Sequence, residues 1–126
     1  MADLKHKSQT GFPRFGDIFD ADLNPIFGAE TGKRRPVLVV SNNVNNEFSS
    51  TVTILPITSK TPQKAYPFEV LAAKGIGGLT ENSRIKANQI RTIDKKRLVG
   101  YRGSLPDALL DQVETALRVH LNMKAL

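Results

Sequence analysis

Short apolar runs broken by Gly-, Pro- and Asn-rich turns fill most of the chain, and a helical period appears only near its C-terminus. In Asp17-Ile18-Phe19-Asp20-Ala21-Asp22-Leu23, Asp17, Phe19, Ala21 and Leu23 fall on one side and Ile18, Asp20 and Asp22 on the other. That imperfect alternation predicts a first strand. Asn24-Pro25 then opens a loop of about ten residues carrying Gly28 and Gly32, long enough to move as a lid. Pro36 to Ser41 is continuous and Val-rich, as a buried strand requires. A polar turn with room for one helical turn follows, then a strand over Thr51 to Ile57. Pro56 inside it implies an edge position or a bulge, because proline has no N–H for the ladder.

Tyr66 to Leu71 predicts a further strand, and Gly75-Ile76-Gly77-Gly78 a turn. Ser83 to Ala87 and Gln89 to Ile93 read as short strands around a bend, Asp94 to Arg97 as one helical turn, and Leu98 to Gly103 as the last strand. Ser104-Leu105-Pro106-Asp107 has the form of a capping box. After it, Leu109, Val113, Ala116, Leu117 and Leu121 recur at helical spacing, an apolar stripe for packing on a sheet. Five to seven short strands and one terminal helix predict a mainly β chain with α, a small curved sheet or barrel carrying a helix. Residues 1–14 are expected to be a disordered tail and residues 15–126 the single domain.

The organising stretch is Gly28 to Thr58, a charged loop that runs into one strand and returns along another. Pro36 pushes the residue before it into extended backbone, so Arg35 stands at the mouth of a strand with a defined direction. If the two strands pair as neighbours, Thr58 lies near Arg35.

Composition narrows the class. At 126 residues, 40% apolar and 24% charged, the chain can bury a core without staples. No apolar run approaches the roughly 18 residues of a membrane span. Met1-Ala2-Asp3-Leu4-Lys5-His6-Lys7 lacks an apolar h-region, so no signal peptide is expected. The chain has no cysteine, which excludes disulfides and thiolate metal sites and fits the cytoplasm. The net charge is +6, and the excess from Arg84 to Arg102 alone equals it: Arg84, Lys86, Arg91, Lys95, Lys96, Arg97 and Arg102 stand against Asp94. Such a segment favours a polyanion, nucleic acid before membrane; a solvated basic edge is the alternative.

Several tempting motifs fail. Gly28 to Lys33 has three residues between its glycines and Arg34 after the lysine, so it is not a phosphate-cradling P-loop. His6 falls in the tail and His120 at the margin of the helix stripe, where a partly buried histidine is ordinary; neither offers the fixed geometry of proton transfer. Asp20 and Asp22 point away from Asp17 on a strand, which argues against a metal cluster. Arg35 and Thr58 survive better. RNA cleavage by its own 2'-hydroxyl needs charge stabilisation on phosphorus, and a guanidinium grips phosphate oxygens in a bidentate way. A threonine hydroxyl can donate to another oxygen. A surface arginine and a strand-end threonine would look the same from spacing alone.

A wider pattern resolves more. Gly16-Asp17-Ile18-Phe19, Ala21-Asp22-Leu23-Asn24-Pro25 and Gly28-Ala29-Glu30-Thr31-Gly32-Lys33-Arg34-Arg35-Pro36-Val37-Leu38-Val39-Val40-Ser41-Asn42 resemble the opening of the MazF/PemK-type toxins. These are the endoribonuclease halves of type II toxin–antitoxin pairs. Thr51-Val52, Pro56-Ile57-Thr58, Tyr66-Pro67-Phe68-Glu69-Val70 and Asn88-Gln89-Ile90-Arg91-Thr92-Ile93-Asp94-Lys95-Lys96-Arg97-Leu98 match the family in the same order, so the resemblance spans residues 15–121. It implies an SH3-like small barrel with a C-terminal helix, a homodimer, and single-stranded RNA in a groove at the dimer interface. Cleavage would be metal-independent and cofactor-free, leaving 2',3'-cyclic phosphate and 5'-hydroxyl ends. Arg35, Thr58 and the loop acid Glu30 take the catalytic positions. Gly28, Lys33, Arg34, Ser59, Lys86, Gln89 and Arg91 are the implied RNA contacts. The implied partner is an acidic MazE-like antitoxin whose disordered tail folds onto the groove.

Ala29 and Thr31 replace the Ser and Gln common in the family loop, and Asn88 stands where an acid is common. These departures bear on RNA contacts and cleavage sequence. The rivals are a gyrase-binding module on the same fold, which depends on a C-terminal tryptophan that Lys124-Ala125-Leu126 lacks, and a catalytically dead nucleic-acid binder.

Overall fold

The computed structural model describes residues 11–59 and 65–124. The tail expected over residues 1–14 lies outside them as far as residue 10, and His6 with it. Within residues 11–14, Pro13 is buried and Arg14 N–H donates to Asp17 Oδ2 at 2.9 Å.

Seven strands and two helices follow one another: β1 (Asp17–Asp22), β2 (Arg34–Val39), α1 (Asn43–Phe48), β3 (Thr51–Thr58), β4 (Glu69–Ala72), β5 (Ser83–Lys86), β6 (Arg91–Asp94), β7 (Leu98–Ser104) and α2 (Asp107–His120). The strands form one antiparallel sheet in the order β4-β5-β3-β2-β1-β7, with β6 also on β3. This is the mainly β class with a terminal helix that the pattern predicts. The sheet is not closed into a barrel, however. Among the described strands no ladder joins β7 to β4 or β6, because β7 runs beside β1 while β6 shares β3 with β5.

That sharing also corrects the expectation for Pro56. β3 is central, not an edge. Its Thr51–Ile54 half pairs with β6, and Ile57 and Thr58 pair with β5. Pro56 falls in the gap between the two partners, where a missing N–H interrupts neither ladder.

The period-two pattern explains two apolar clusters, one on each face. Ile18, Leu38, Leu55, Ile57, Val70 and Ile85 point to one, where Val113 and Ala116 of α2 join them. Phe19, Ala21, Leu23, Val37, Val39, Val52 and Ile54 point to the other. β1, β2 and β3 are therefore covered on both faces, which is why their apolar runs look continuous or irregular. α2 lies against β4 and the bend after β5.

The start of α2 differs from the capping box. Its N-cap is Pro106, with no side-chain cap bond. Ser104 is the last residue of β7, and its hydroxyl donates to Asp17 Oδ1 at 3.0 Å. Asp107 still contributes a negative charge to the positive end of the helix dipole. Leu121 and His120 are exposed, so the stripe ends earlier than its spacing suggests and His120 is not half-buried.

Candidate active site

β2 and β3 pair with Val37 opposite Pro56. Continuing that register by two residues sets Arg35 opposite Thr58. On the other side of β3, Thr58 pairs directly with Arg84, and Arg84 with Leu71 of β4. One row thus crosses four strands in the order Arg35, Thr58, Arg84, Leu71. The adjacent row, Ile57, Ile85 and Val70, is turned into the core. Alternation alone fixes this: with the isoleucines buried, the hydroxyl and the arginines face the other way.

Arg35, Thr58 and Arg84 line a cavity of about 480 Å³ with Glu30, Lys33, Ser59 and Lys86. Thr58 is 8% exposed, and its Oγ1 is buried without a hydrogen-bond partner. Arg84 Nε and Asn88 Oδ1 are the other such side-chain atoms among the described residues. Buried polar groups are almost always paired, so an unpaired hydroxyl on a residue that lines a cavity is a candidate contact for a ligand or a water.

The loop between β1 and β2 is built to hold its place. Leu23 N–H donates to Lys33 C=O at 3.0 Å, and Lys33 N–H to Asn24 Oδ1 at 2.9 Å, closing the neck. A Cβ on Gly32 would lie 2.7 Å from Asn24 Oδ1 and 2.9 Å from Ile26 Cγ2, so any other residue there must push these side chains aside. Arg35 Nε donates to Gly32 C=O at 2.6 Å, which aims the guanidinium. Glu30 Oε1 accepts Phe27 N–H at 2.7 Å, so this carboxylate closes a turn of its own loop. Thr31 N–H donates to Gln89 Oε1 and Thr31 Oγ1 accepts from Lys86 Nζ, both at 3.2 Å. The expected lid is therefore fastened to the sheet side at Thr31, while Phe27 at its tip is 87% exposed.

The remaining predicted residues separate. Arg34 is exposed and borders a second cavity, about 280 Å³, with Arg35, Ser59 and Arg102. Gly28 sits in the exposed part of the loop with φ +57, a left-handed backbone. Gln89 stands behind Thr31 and borders neither cavity. Arg91 donates to Leu23 C=O at 3.2 Å, and Arg97 to the carbonyls of Asp22 and Asn24. Those two cations brace the loop neck. Arg102 pairs with Asp20 at 2.8 Å. The basic segment does not form a single track of cations. On the turn between β6 and β7, burial lowers the ammonium pKa of Lys95 against the opposing pull of Glu47.

Among the described residues no group of three His, Asp or Glu could hold a metal ion. Asp17 and Asp20 accept from Ser104 and Arg102, and Asp22 Oδ1 accepts Asn24 N–H at 3.1 Å. No helix among the described residues is long and apolar enough to cross a membrane. Sequence reasoning missed Arg84 as a site residue and Glu69 as its partner. The alternation Ser83-Arg84-Ile85-Lys86 was the available signal, since it puts Arg84 and Lys86 on one face.

Comparison with known proteins points the same way. A family model described as the PemK-like, MazF-like toxin of type II toxin–antitoxin systems matches residues 14–121. Endoribonuclease EndoA of Bacillus subtilis (strain 168) is 40% identical over 106 residues, covering 84% of this chain and 91% of that one. The crystal structure of MazF from Deinococcus radiodurans superposes with a TM-score of 0.77 at 29% identity, over 88% of this chain and 97% of that one. A mycobacterial endoribonuclease in complex with its cognate antitoxin gives 0.74 at 26% identity, over 90% and 99%. With the match running from just before β1 to just past α2, the chain belongs to the PemK-like, MazF-like toxins of type II toxin–antitoxin systems.

Proposed function

We propose that this toxin is a sequence-specific endoribonuclease that cuts single-stranded RNA without a metal ion. The observation that carries it is the unpaired, buried Oγ1 of Thr58 beside Arg35 in one cavity. The 40% identity to an endoribonuclease supports RNA as the substrate. The RNA supplies its own nucleophile. Its 2'-oxygen bonds to phosphorus while the bond from phosphorus to the 5'-oxygen breaks. The 2'-hydroxyl gives up its proton and the 5'-oxygen gains one, leaving 2',3'-cyclic phosphate and 5'-hydroxyl ends.

Arg35 spreads the charge of the phosphorane, and Thr58 Oγ–H donates to one of its oxygens. Glu30 keeps the loop ordered, so that Gly32 C=O holds Arg35 in place. Lys33, Arg34, Ser59 and Lys86 contact the strand around the cut, with Gly28 allowing close approach. Gln89 and Arg91 act through the loop they brace. The enzyme works in the cytoplasm as a homodimer and is silenced by an acidic antitoxin. For the dimer surface the support is an apolar-walled hollow of about 640 Å³ beside Phe15, Leu117, Leu121 and Met123. Phe15 is 46% exposed and Met123 56%, so the hollow has an exposed apolar rim that a second subunit could cover.

The test is to incubate purified protein with a long RNA, with and without EDTA, and to map the ends. Recurrent cuts with 5'-hydroxyl and cyclic phosphate ends, unchanged by EDTA, are expected. Tight RNA binding with no fragments would replace the enzyme by a binding module. Loss of cutting in EDTA would overturn the metal-free mechanism.

A further inference from the structure

Arg84 stands across the strand pair from Thr58, and its chemistry is only half accounted for. One edge of its guanidinium is fixed: Nη1 donates to Glu69 Oε2 at 3.0 Å. The Glu69 side chain is 3% exposed, and its other oxygen accepts Tyr66 N–H at 3.1 Å. A buried carboxylate with both oxygens engaged is a rigid anchor, and it holds one end of the Arg84 guanidinium. Its Nε is buried and has no acceptor among the described residues.

Two unpaired buried groups therefore belong to one cross-strand pair, and both residues line one cavity. They are not bonded to each other. A guanidinium N–H can only donate, and a hydroxyl can donate as well. The object that satisfies both is an oxyanion with at least two acceptor oxygens. Arg35 lines the same cavity from the strand on the other side of β3. An ion pair meant only to stabilise the sheet would have no need of a buried, unsatisfied donor, which is costly to keep.

We propose that Arg84 is a second guanidinium on the scissile phosphate, gripping it through Nε opposite Arg35, and that Glu69 is the positioning residue that aims it. This rests on the ribonuclease function proposed above. Two fixed cations around one hydroxyl would neutralise the growing charge from both sides, without reorganisation during the reaction.

The experiment uses the full chain and an oligonucleotide carrying a mapped cleavage site, with R84Q, R84K and E69Q. Single-turnover cleavage gives a rate constant and an amplitude. R84Q is expected to lower the rate constant by about 10²-fold, the loss typical of one preorganised donor. R84K keeps the charge and the Glu69 pair without the planar fork, and should recover part of that rate. E69Q should lower the rate constant while Arg84 is still present. Rp and Sp phosphorothioates at the scissile linkage add a signature. The parent should prefer one diastereomer, and R84Q should lose part of that preference. A merely structural residue would change the amplitude and the melting temperature but neither the rate constant nor the preference. Should R84Q unfold, R84K alone decides. If the parent cuts RNA and R84K and every folded R84Q cut as fast with the same preference, Arg84 has no such role and the ribonuclease stands. If the parent cuts nothing, both fall together.

Discussion

The hydroxyl of Thr58 offers the sharpest single perturbation, because stability and activity should move in opposite directions. Thr58→Val replaces it by a methyl group of nearly the same shape and keeps the β-branched side chain that a strand favours. In most buried positions the change costs a hydrogen bond. Here Oγ1 has no partner to lose among the described residues. Burying an unpaired hydroxyl costs about 1–3 kcal/mol in proteins, and the residue is only 8% exposed, so most of that cost applies. A water in the cavity would offset part of it. The expected gain is therefore about 1 kcal/mol, or roughly 3–6 °C in melting temperature for a domain of this size.

Cleavage should fall meanwhile by about 10²-fold, since one preorganised donor to the phosphorane is gone. The assay pairs thermal or urea unfolding of both proteins with single-turnover cleavage of one oligonucleotide. The fall should lie in the rate constant, with the amplitude unchanged. A variant less stable than its parent would mean that the hydroxyl is paired in solution, and the case for an empty donor would fail. A more stable variant that cuts at the parent's rate would leave the donor real and its catalytic part refuted.

Other outcomes follow from the same geometry. Arg35→Ala should lower the cleavage rate constant by about 10²-fold or more with little change in melting temperature, as among the described residues the side chain's one hydrogen bond is to the loop carbonyl of Gly32. Gly32→Ala should cost about 1–3 kcal/mol, because its Cβ must displace Asn24 and Ile26 at the loop neck. Amide exchange at Lys33, whose N–H rests on Asn24, should accelerate in that variant. Met123→Glu places a charge on the exposed apolar hollow and should shift the protein to monomer in sedimentation, with the far-ultraviolet dichroism unchanged.

Local pattern carried the fold a long way. Short apolar runs between turn residues located each of the seven strands to within a few residues, and the helical stripe located α2. What it could not carry was anything decided by partners distant in the chain. Ser104 has the local form of a helix cap, yet Asp17, 87 positions away, claims its hydroxyl and keeps it in β7. Pro56 has the local mark of an edge, yet β5 and β6 divide β3 around it. Barrel closure depends on where β7 pairs, and the sequence of β7 is compatible with several neighbours. The charge excess from Arg84 to Arg102 is real, but at least five of its seven cations hold internal partners: Arg84, Lys86, Arg91, Arg97 and Arg102. Net charge counts them all alike, and only the fold tells a brace from a binding group.

Arg35 and Thr58 were legible for a different reason. Pro36 fixes the backbone before it and β3 follows after one short turn region, so the two residues come close once β2 and β3 pair as neighbours; their role was legible only through the family resemblance. Arg84 was harder because β5 reaches β3 only after β4 and the turn at Ile76–Gly78. The three residues end up together because the apolar row of Val37, Pro56 and Ile54 gives out at the end of the sheet. There the same face must become polar, and the loop from β1 covers it. That loop is no passive cover. Its Gly32 carbonyl orients Arg35, while Lys86 and Gln89, flanking the bend after β5, hold its Thr31. The strand that brings Arg84 to Thr58 thus also fastens the loop that aims Arg35, so both cations take their position from β5.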